Sequence, residues 1–331
     1  MGGDQPTSLG WVGVGRMGRA LVIRLLQAGH EVSVYNRTRE KAADLEQMGA
    51  TIVDAPSDLA DRDIVFTMVA GSADVEEVCD GLLSRTDVAP GLIVDSTTIS
   101  PTAAEHIRAK AEERGAAMLA APVSGNPKVA ESGRLTIVAS GPADAFERAR
   151  PYLELLCRRV TYVGEGERAR LVKICHNLML GVVAQCMAEI TVLAEKGGVA
   201  RADFLEFLND SVMGSTFTRY KSPAYVNLDF TPTFTPELLL KDFHLGFEAA
   251  RAHDVTMPLA AATEQIVQGL AGLKGNEVDF AALIELCAEA SGLRLEPENV
   301  EIDDGLRPLD PAHPPNRDRD GVAPAAPAPA S

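Results

Sequence analysis

The 331-residue sequence predicts a doubly wound α/β domain that a long helix joins to an all-α domain. Three observations carry this prediction. Short apolar runs alternate with helix-like segments over the first half of the chain, and a glycine-rich turn follows the first run. A long helical stretch without proline comes next. The segments after it have helical periodicity and contain no convincing strands.

The first unit of this fold lies between residues 9 and 38, where Gly13, Gly15 and Gly18 form the pattern G-x-G-x-x-G. An apolar run precedes the pattern and helix-period apolar positions follow it, as in a Rossmann domain. Gly13 permits the tight turn, Gly15 lets the backbone approach a pyrophosphate, and Gly18 lets the helix pack on the strand. The helix N-terminus offers unpaired N–H groups to the anion. The same turn adds Val14, Arg16 and Met17 to the expected cofactor-binding residues.

The second strand ends in residues that indicate which dinucleotide binds. A site that prefers NAD carries Asp or Glu there, whereas this chain has Asn36, Arg37 and Thr38. A charged planar guanidinium and two neutral donors suit a 2′-phosphate, so the sequence predicts NADPH over NADH. The alternative is that Arg37 is a solvated loop charge.

Further strand-like runs recur after helical segments, and this alternation is typical of one doubly wound sheet. They cover residues 51–53, 64–68, 92–94, 117–120, 135–139 and 161–163, and later helices are predicted over 203–209, 237–252, 258–271 and 281–289. The chain is expected to comprise a flexible N-terminus (1–8), the nucleotide-binding domain (9–164), an interdomain helix (165–196), an all-helical domain (197–293) and a disordered Pro/Ala-rich tail (294–331).

Composition excludes several classes of function. Lys and Arg number 31 against 47 Asp and Glu, and the net charge of −16 would repel nucleic acid. The five cysteines are scattered without the spacing of a metal site, so reduced thiols in a cytoplasmic protein are expected. The first eight residues do not resemble a leader, and the apolar run 178–184 is too short for a membrane span.

One polar pair and one polar turn are candidates for catalysis and substrate binding. Lys173 and Asn177 are four residues apart and share a helix face, where an ammonium and an amide can address one substrate oxygen. Spacing by itself favours an ordinary surface lysine, but Leu171, Val172, Ile174 and Leu178 suggest a poorly solvated site that would lower its pKa. The turn Ser124-Gly125-Asn126 could hold a carboxylate with its hydroxyl and backbone N–H groups.

Other side chains could extend this site. Thr98 follows a strand at the edge of the sheet where ligands bind, although N-capping by Ser100 explains part of the polarity there. The helical domain could line a substrate pocket with Met213, Phe217 and Phe234, or these residues could belong to its core.

Taken in order, these motifs resemble those of the β-hydroxyacid dehydrogenase family, from about Leu9 to Leu293. The matching motifs are Gly13-x-Gly15-x-x-Gly18, Asp95-Ser96-Thr97-Thr98, Pro122-Val123-Ser124-Gly125, Gly164-x-Gly166 with Lys173-x-x-x-Asn177, and Lys241-Asp242. The resemblance implies Lys173 as the catalytic acid/base, Asn177, Ser124 and Gly125 as substrate contacts, and a dimer or tetramer. The expected cofactor-binding residues are completed by Met68, Val69, Thr98, Phe234 and Lys241.

Within the family, the chain is most similar to the glyoxylate and succinic semialdehyde reductase branch. Asn126 stands where 3-hydroxyisobutyrate dehydrogenases carry a second glycine, and it is expected to tolerate a left-handed backbone and to narrow or polarise the pocket. The expected reaction is hydride transfer between NADPH and the carbonyl of a small aldehyde or keto acid. The alternatives are a 3-hydroxyisobutyrate or other 3-hydroxyacid dehydrogenase, an imine reductase, and a non-catalytic dinucleotide-binding scaffold.

Overall fold

A computed structural model describes residues 7–306 as a nucleotide-binding α/β domain, a long helix and a helical domain. The strands are β1 (Leu9–Val12), β2 (Val32–Tyr35), β3 (Thr51–Ile52), β4 (Ile64–Thr67), β5 (Leu92–Asp95), β6 (Ala117–Ala120), β7 (Val123–Ser124), β8 (Thr136–Ala139) and β9 (Arg159–Tyr162). The helices are α1 (Arg16–Gln27), α2 (Ala43–Gln47), α3 (Ser72–Leu82), α4 (Pro101–Glu113), α5 (Pro127–Glu131), α6 (Ala143–Leu156), α7 (Arg168–Lys196), α8 (Arg201–Asp210), α9 (Thr216–Asn227), α10 (Pro236–Ala252), α11 (Pro258–Lys274) and α12 (Leu283–Ala290).

The main sheet has six parallel strands in the order β3-β2-β1-β4-β5-β6. Apolar side chains cover both of its faces, as a parallel sheet between helices requires. The strand order reverses between β1 and β4. A ligand crevice is expected at that point, beyond the carboxyl ends of the strands.

The predicted strands 135–139 and 161–163 do not join this sheet. They form β8 and β9 of a separate three-stranded sheet, in which β7 pairs antiparallel with β8. The chain turns after β6 at Ala121 and Pro122 and starts a new ladder. The expectation that these two strands belong to the main sheet is therefore wrong. A short apolar run predicts a strand but does not indicate which other strand it pairs with.

The helical domain packs around α7, which contacts α10, α11 and α12. By length and composition α7 could cross a membrane, but half of its most apolar stretch is buried, and the core helix of a globular domain has the same properties. The sequence patterns do not predict α9. This helix contains Pro223 and few periodic apolar positions, and Ser215 caps its first turn by accepting from the Thr218 N–H.

Part of the predicted disordered tail is packed against the domains. The buried Arg201 side chain donates to the Glu296 carbonyl, and its backbone N–H donates to Glu298 Oε1 over 2.7 Å. Leu306 is buried in the core of the nucleotide-binding domain. At the other end, the Ser8 N–H donates to Asp63 Oδ2 over 2.7 Å. The rest of the two expected flexible segments, 1–6 and 307–331, lies outside the described residues.

Candidate active site

The glycine turn after β1 leaves the N-terminus of α1 open. Gly13 has φ of +92°, and a Cβ there would clash with the Met68 carbonyl oxygen, while a Cβ on Gly18 would clash with the Gly13 carbonyl. Gly15 faces open space and is the N-cap of α1, which has no capping side chain. The N–H groups of the first turn are thus available to an anion, and this cradle fits a dinucleotide pyrophosphate.

The residues after β2 divide between shaping the turn and facing the cleft. Asn36 Oδ1 accepts from the Val14 N–H over 2.9 Å, and its amide nitrogen donates to the Thr38 carbonyl. The Asn36 side chain thus holds the glycine turn, a role that its prediction as a phosphate donor did not include. The Arg37 side chain is 75% exposed and forms an ion pair with Asp74 over 3.2 Å.

A second cation, Lys41, lines the cleft close to Arg37 and Thr38, and the sequence analysis did not assign it. It lies in the short 3₁₀-helix Arg39–Ala42, whose first turn closes when the Lys41 N–H donates to the Thr38 carbonyl. Lys41 follows Thr38 by three residues, and a helical turn over this spacing brings the two residues together. This spacing could have identified Lys41 from the sequence.

The ends of β4 and β5 are tied to α7 by a buried network. Asp95 accepts from the Thr67 hydroxyl over 2.6 Å and pairs with the Arg170 guanidinium over 2.9 Å. Arg170 also donates to the Thr97 carbonyl, and Thr97 Oγ1 accepts from the Val69 N–H. This network holds the loops that carry Met68, Val69 and Thr98 against the start of α7.

Lys173 and Asn177 lie together on α7, as their spacing predicts. Lys173 Nζ donates to Asn177 Oδ1 over 2.8 Å, and the Asn177 amide nitrogen donates to Asp242 Oδ2 over 2.5 Å. Burial and the Lys241 ammonium together lower the pKa of Lys173 to about 8, and Asp242 partly opposes the shift. Burial also raises the pKa of Asp242. No role for Asp242 is predicted from the sequence, although this residue adjoins Lys241.

The source of the burial around Lys173 differs from the expected one. Leu171 and Val172 are exposed, because successive helix positions point in different directions, whereas Ile174 and Leu178 are buried. The apolar neighbours in sequence therefore account for only part of the low pKa. Tertiary packing of α7 against α10 also removes this part of the helix from solvent.

In the turn after β7, Gly125 is the residue with a left-handed backbone, at φ of +134°. A Cβ on Gly125 would clash with Val129 and Leu135. Asn126 has φ of −105°, so the expectation of a left-handed backbone there is wrong. Its side-chain oxygen accepts from the Val129 N–H over 3.0 Å and caps α5, where it shapes the turn.

His176 joins this turn to the Lys173 site. Its Nε2 lies 2.9 Å from Ser124 Oγ, and its Nδ1 lies 2.9 Å from Asn177 Oδ1. Desolvation by the cleft walls and the nearby Lys173 ammonium lower the pKa of His176 below its usual value, although the residue stays accessible to solvent. The sequence analysis did not assign His176, although a spacing of three residues from Lys173 places both on one helix face.

A cleft of about 1000 Å³ between the domains connects the glycine turn, the residues after β2, the turn after β7 and the Lys173 site. Two contacts bridge it: Arg16 donates to the Pro232 carbonyl over 2.6 Å, and Lys241 donates to the Thr98 carbonyl over 3.4 Å. All the expected site residues line it except Val14, whose side chain is buried in the core. Of the candidate pocket residues, Phe217 and Phe234 line the cleft, whereas Met213 is exposed and lies outside its lining.

Two protein-family models match the chain in succession. The NAD-binding domain of 6-phosphogluconate dehydrogenase matches residues 8–164. The NAD-binding domain of NADP-dependent 3-hydroxyisobutyrate dehydrogenase matches residues 167–287. These matches support a nicotinamide dinucleotide as the ligand of the glycine turn.

Several curated proteins are similar over nearly their whole length. The chain is 32% identical to a probable 3-hydroxyisobutyrate dehydrogenase-like protein of Arabidopsis thaliana over 292 residues, which cover 87% of this chain and 89% of the relative. It is 31% identical to an NAD-dependent L-serine dehydrogenase of Pseudomonas aeruginosa, covering 86% and 99%. It is 28% identical to glyoxylate/succinic semialdehyde reductase 1 of Arabidopsis thaliana, covering 84% and 97%.

Solved structures share the complete architecture. The 3-hydroxyisobutyrate dehydrogenase of Mycobacterium tuberculosis with L-serine superposes with a TM-score of 0.75 at 29% identity, covering 85% of this chain and 99% of that chain. Psf3 in complex with NADP⁺ and 2-OPP superposes with a TM-score of 0.75 at 28% identity, covering 84% and 99%. The arrangement of α/β domain, long helix and helical domain is therefore common to this chain and these enzymes.

Proposed function

Since this chain belongs to the β-hydroxyacid dehydrogenase family, we propose that it transfers a hydride between NADPH and the carbonyl carbon of a small acid that carries an aldehyde or ketone. The observation that carries the proposal is the contact of Lys173 with Asn177, which Asp242 anchors. A lysine with a pKa of about 8 can give and take a proton near neutral pH.

The preference for NADPH rests on the charges after β2. Arg37 and Lys41 line the cleft with Thr38, and no carboxylate occupies the position that would accept from a ribose 2′-OH. Asp74 holds Arg37 near the cleft wall, where the guanidinium can address a 2′-phosphate. Psf3, which is similar in structure, binds NADP⁺, whereas the related L-serine dehydrogenase is NAD-dependent.

Different residues of the cleft have separate roles in the proposed reaction. When bound, the nicotinamide supplies or accepts the hydride. In the direction of reduction, Lys173 donates a proton to the oxygen that becomes the hydroxyl, and Asn177 orients that oxygen. In oxidation Lys173 accepts the same proton. The turn Ser124-Gly125-Asn126 holds the acid end of the substrate.

The substrate proposed first is a small aldehyde or keto acid of the glyoxylate or succinic semialdehyde kind. The relative glyoxylate/succinic semialdehyde reductase 1 supports it. The second candidate is oxidation of a 3-hydroxy acid. It is favoured by the similarity to a 3-hydroxyisobutyrate dehydrogenase whose structure contains L-serine.

A substrate panel tests the proposal. The purified protein is mixed with NADPH and glyoxylate, succinic semialdehyde or other small keto acids, and with NADP⁺ and 3-hydroxyisobutyrate or L-serine, while nicotinamide absorbance is followed. Turnover that is lost in Lys173→Ala supports the proposal. Bound NADPH without turnover of any carbonyl or hydroxy acid would refute it.

A further inference from the structure

The amide of Asn177 has only one orientation that satisfies its neighbours. Its Oδ1 accepts from the Lys173 ammonium, and its nitrogen donates to the Asp242 carboxylate. A flipped amide would place an N–H group against the ammonium and an oxygen against the carboxylate. Asn177 Oδ1 is therefore an acceptor, and every group that contacts it must donate.

This orientation determines the tautomer of His176. Nδ1 lies 2.9 Å from Asn177 Oδ1 and must carry the proton, so Nε2 of the neutral ring has a free lone pair. Desolvation and the charge of Lys173 lower the pKa of His176, and a lower pKa favours the neutral form of the ring. Other charged groups that line the cleft on this side are Lys241 and Asp242 on α10, Arg134 and Arg158 next to β8 and β9, and Lys221 on α9, which pairs with Asp279.

The tautomer in turn fixes the hydrogen bonding of Ser124. A hydroxyl has one proton, and Ser124 donates it to His176 Nε2, 2.9 Å away. The lone pairs of Ser124 Oγ remain for the substrate. A carboxylate offers no proton to these lone pairs, whereas an ammonium or hydroxyl group does.

We propose that His176 is a specificity-determining residue that keeps Ser124 as an acceptor, so that the site prefers acids with an N–H or O–H donor beside the carboxylate. The inference rests on the second candidate of the proposed function, the oxidation of a 3-hydroxy acid, because glyoxylate and succinic semialdehyde carry no such donor. The backbone N–H groups of Gly125 and Asn126 then hold the carboxylate, and Lys173 addresses the reacting oxygen. Ser124 precedes Gly125 in the turn and is linked to Asn177 through His176. A substrate that spans the carboxylate site and Lys173 would therefore pass beside the Ser124 hydroxyl.

Two substrates that differ only in this donor test the proposal. L-Serine and 3-hydroxypropionate share a carboxylate and a primary alcohol, but only L-serine carries an ammonium between them. The ratio of their kcat/KM values with NADP⁺ is expected to favour L-serine about tenfold or more, the effect of one hydrogen bond to a charged group. Equilibrium binding to the NADP⁺-loaded protein should give a similar ratio.

His176→Phe keeps a ring of similar shape and removes both nitrogens. The Ser124 hydroxyl can then donate to a carboxylate, so the ratio should fall close to one. His244→Phe is the matched control, because this exposed histidine lies on α10 outside the cleft. Its ratio of kcat/KM for L-serine over 3-hydroxypropionate should equal that of the unchanged protein. The net charge of −16 attracts the ammonium of L-serine to the same extent in both proteins, so this attraction cannot explain a change seen only in His176→Phe.

A nitrogen-15 spectrum of the histidine rings reads the tautomer without turnover. The signals of His176 are assigned by their loss in His176→Phe, and they should show a protonated Nδ1 and an unprotonated Nε2. A protonated Nε2 in the neutral ring, or an L-serine preference that survives in His176→Phe, would overturn the proposal. If no carbonyl or hydroxy acid reacts, the proposed function fails, while the spectrum and the binding ratio still decide the role of His176.

Discussion

Lys173 donates a hydrogen bond to the side-chain oxygen of Asn177 one turn further along α7, across 2.8 Å. Asn177 is buried and is itself held by Asp242 on α10. The position of the lysine is thus set by two helices that are far apart in sequence. A proton donor held at a fixed place in the cleft is what carbonyl reduction requires.

Lys173→Ala should lower kcat by about 10²- to 10⁴-fold, the usual contribution of a general acid or base. The dissociation constant for NADPH should change little, because the pyrophosphate cradle lies at Gly13 to Gly18. Steady-state kinetics and a fluorescence titration with NADPH measure the two effects. Lys274→Ala, at a partly exposed lysine paired with Glu285, is the control. Retention of most activity in Lys173→Ala would contradict the assignment.

The pH dependence of the two reaction directions should be opposite, with a common midpoint at about 8. Alcohol oxidation needs the neutral amine of Lys173 as a base, so kcat/KM should rise through this pH. Carbonyl reduction needs the ammonium as an acid, so kcat/KM should fall through it. Lys241→Met removes a like charge and should move both midpoints to higher pH. Profiles that are parallel in the two directions would exclude Lys173 as the titrating group.

Arg37→Ala should raise KM for NADPH by about tenfold or more, because a charge-assisted hydrogen bond to the 2′-phosphate is lost. KM for NADH should change little, since NADH lacks that phosphate. Arg39→Ala is the matched control: this exposed arginine pairs with Asp54 and lies outside the cleft lining, so KM for NADPH should not rise. Equal effects of Arg37→Ala on both coenzymes would support the solvated-charge interpretation.

Arg170→Met should destabilise the protein by about 3–5 kcal/mol, because it leaves the buried Asp95 carboxylate without its cation and removes one of the two guanidinium partners of Glu167. Urea denaturation measures the free energy of unfolding. Arg150→Ala breaks the exposed pair with Glu147 and should cost about 1 kcal/mol or less. Similar decreases in the free energy of unfolding of the two variants would show that the buried network stabilises the protein no more than an exposed ion pair does.

Leu193→Glu should lower the oligomeric state. Val172, Met179, Cys186 and Leu193 recur every seven residues on α7 and are all exposed, so they form one apolar stripe along the helix. We expect a second copy of the chain to cover this stripe in a homodimer or homotetramer. Light scattering after size-exclusion chromatography measures the mass. Val212→Glu, at a fully exposed residue outside α7, is the control and should leave the mass unchanged.

Local signals were sufficient for several features that depend on neighbours in sequence. The glycine turn from Gly13 to Gly18 and the common face of Lys173 and Asn177 follow from backbone geometry, and the Ser100 cap from a contact within four residues. The role of Asn36 in holding the turn involves a partner 22 residues away. The sequence predicts that Asn36 lies at the cofactor site, but it does not indicate the contact of Asn36 with the Val14 N–H.

The sequence by itself determined the order of the domains, the pyrophosphate cradle and the helix that carries Lys173, because these depend on glycine conformations and helical periodicity. Only the tertiary structure decided that β8 and β9 form a second sheet, that residues 294–306 pack on the body, and that His176 links Ser124 to Asn177. These features arise from strand pairing, buried charge and hydrogen bonds between distant segments. No local propensity encodes such contacts, since each depends on which surfaces the folded chain brings together.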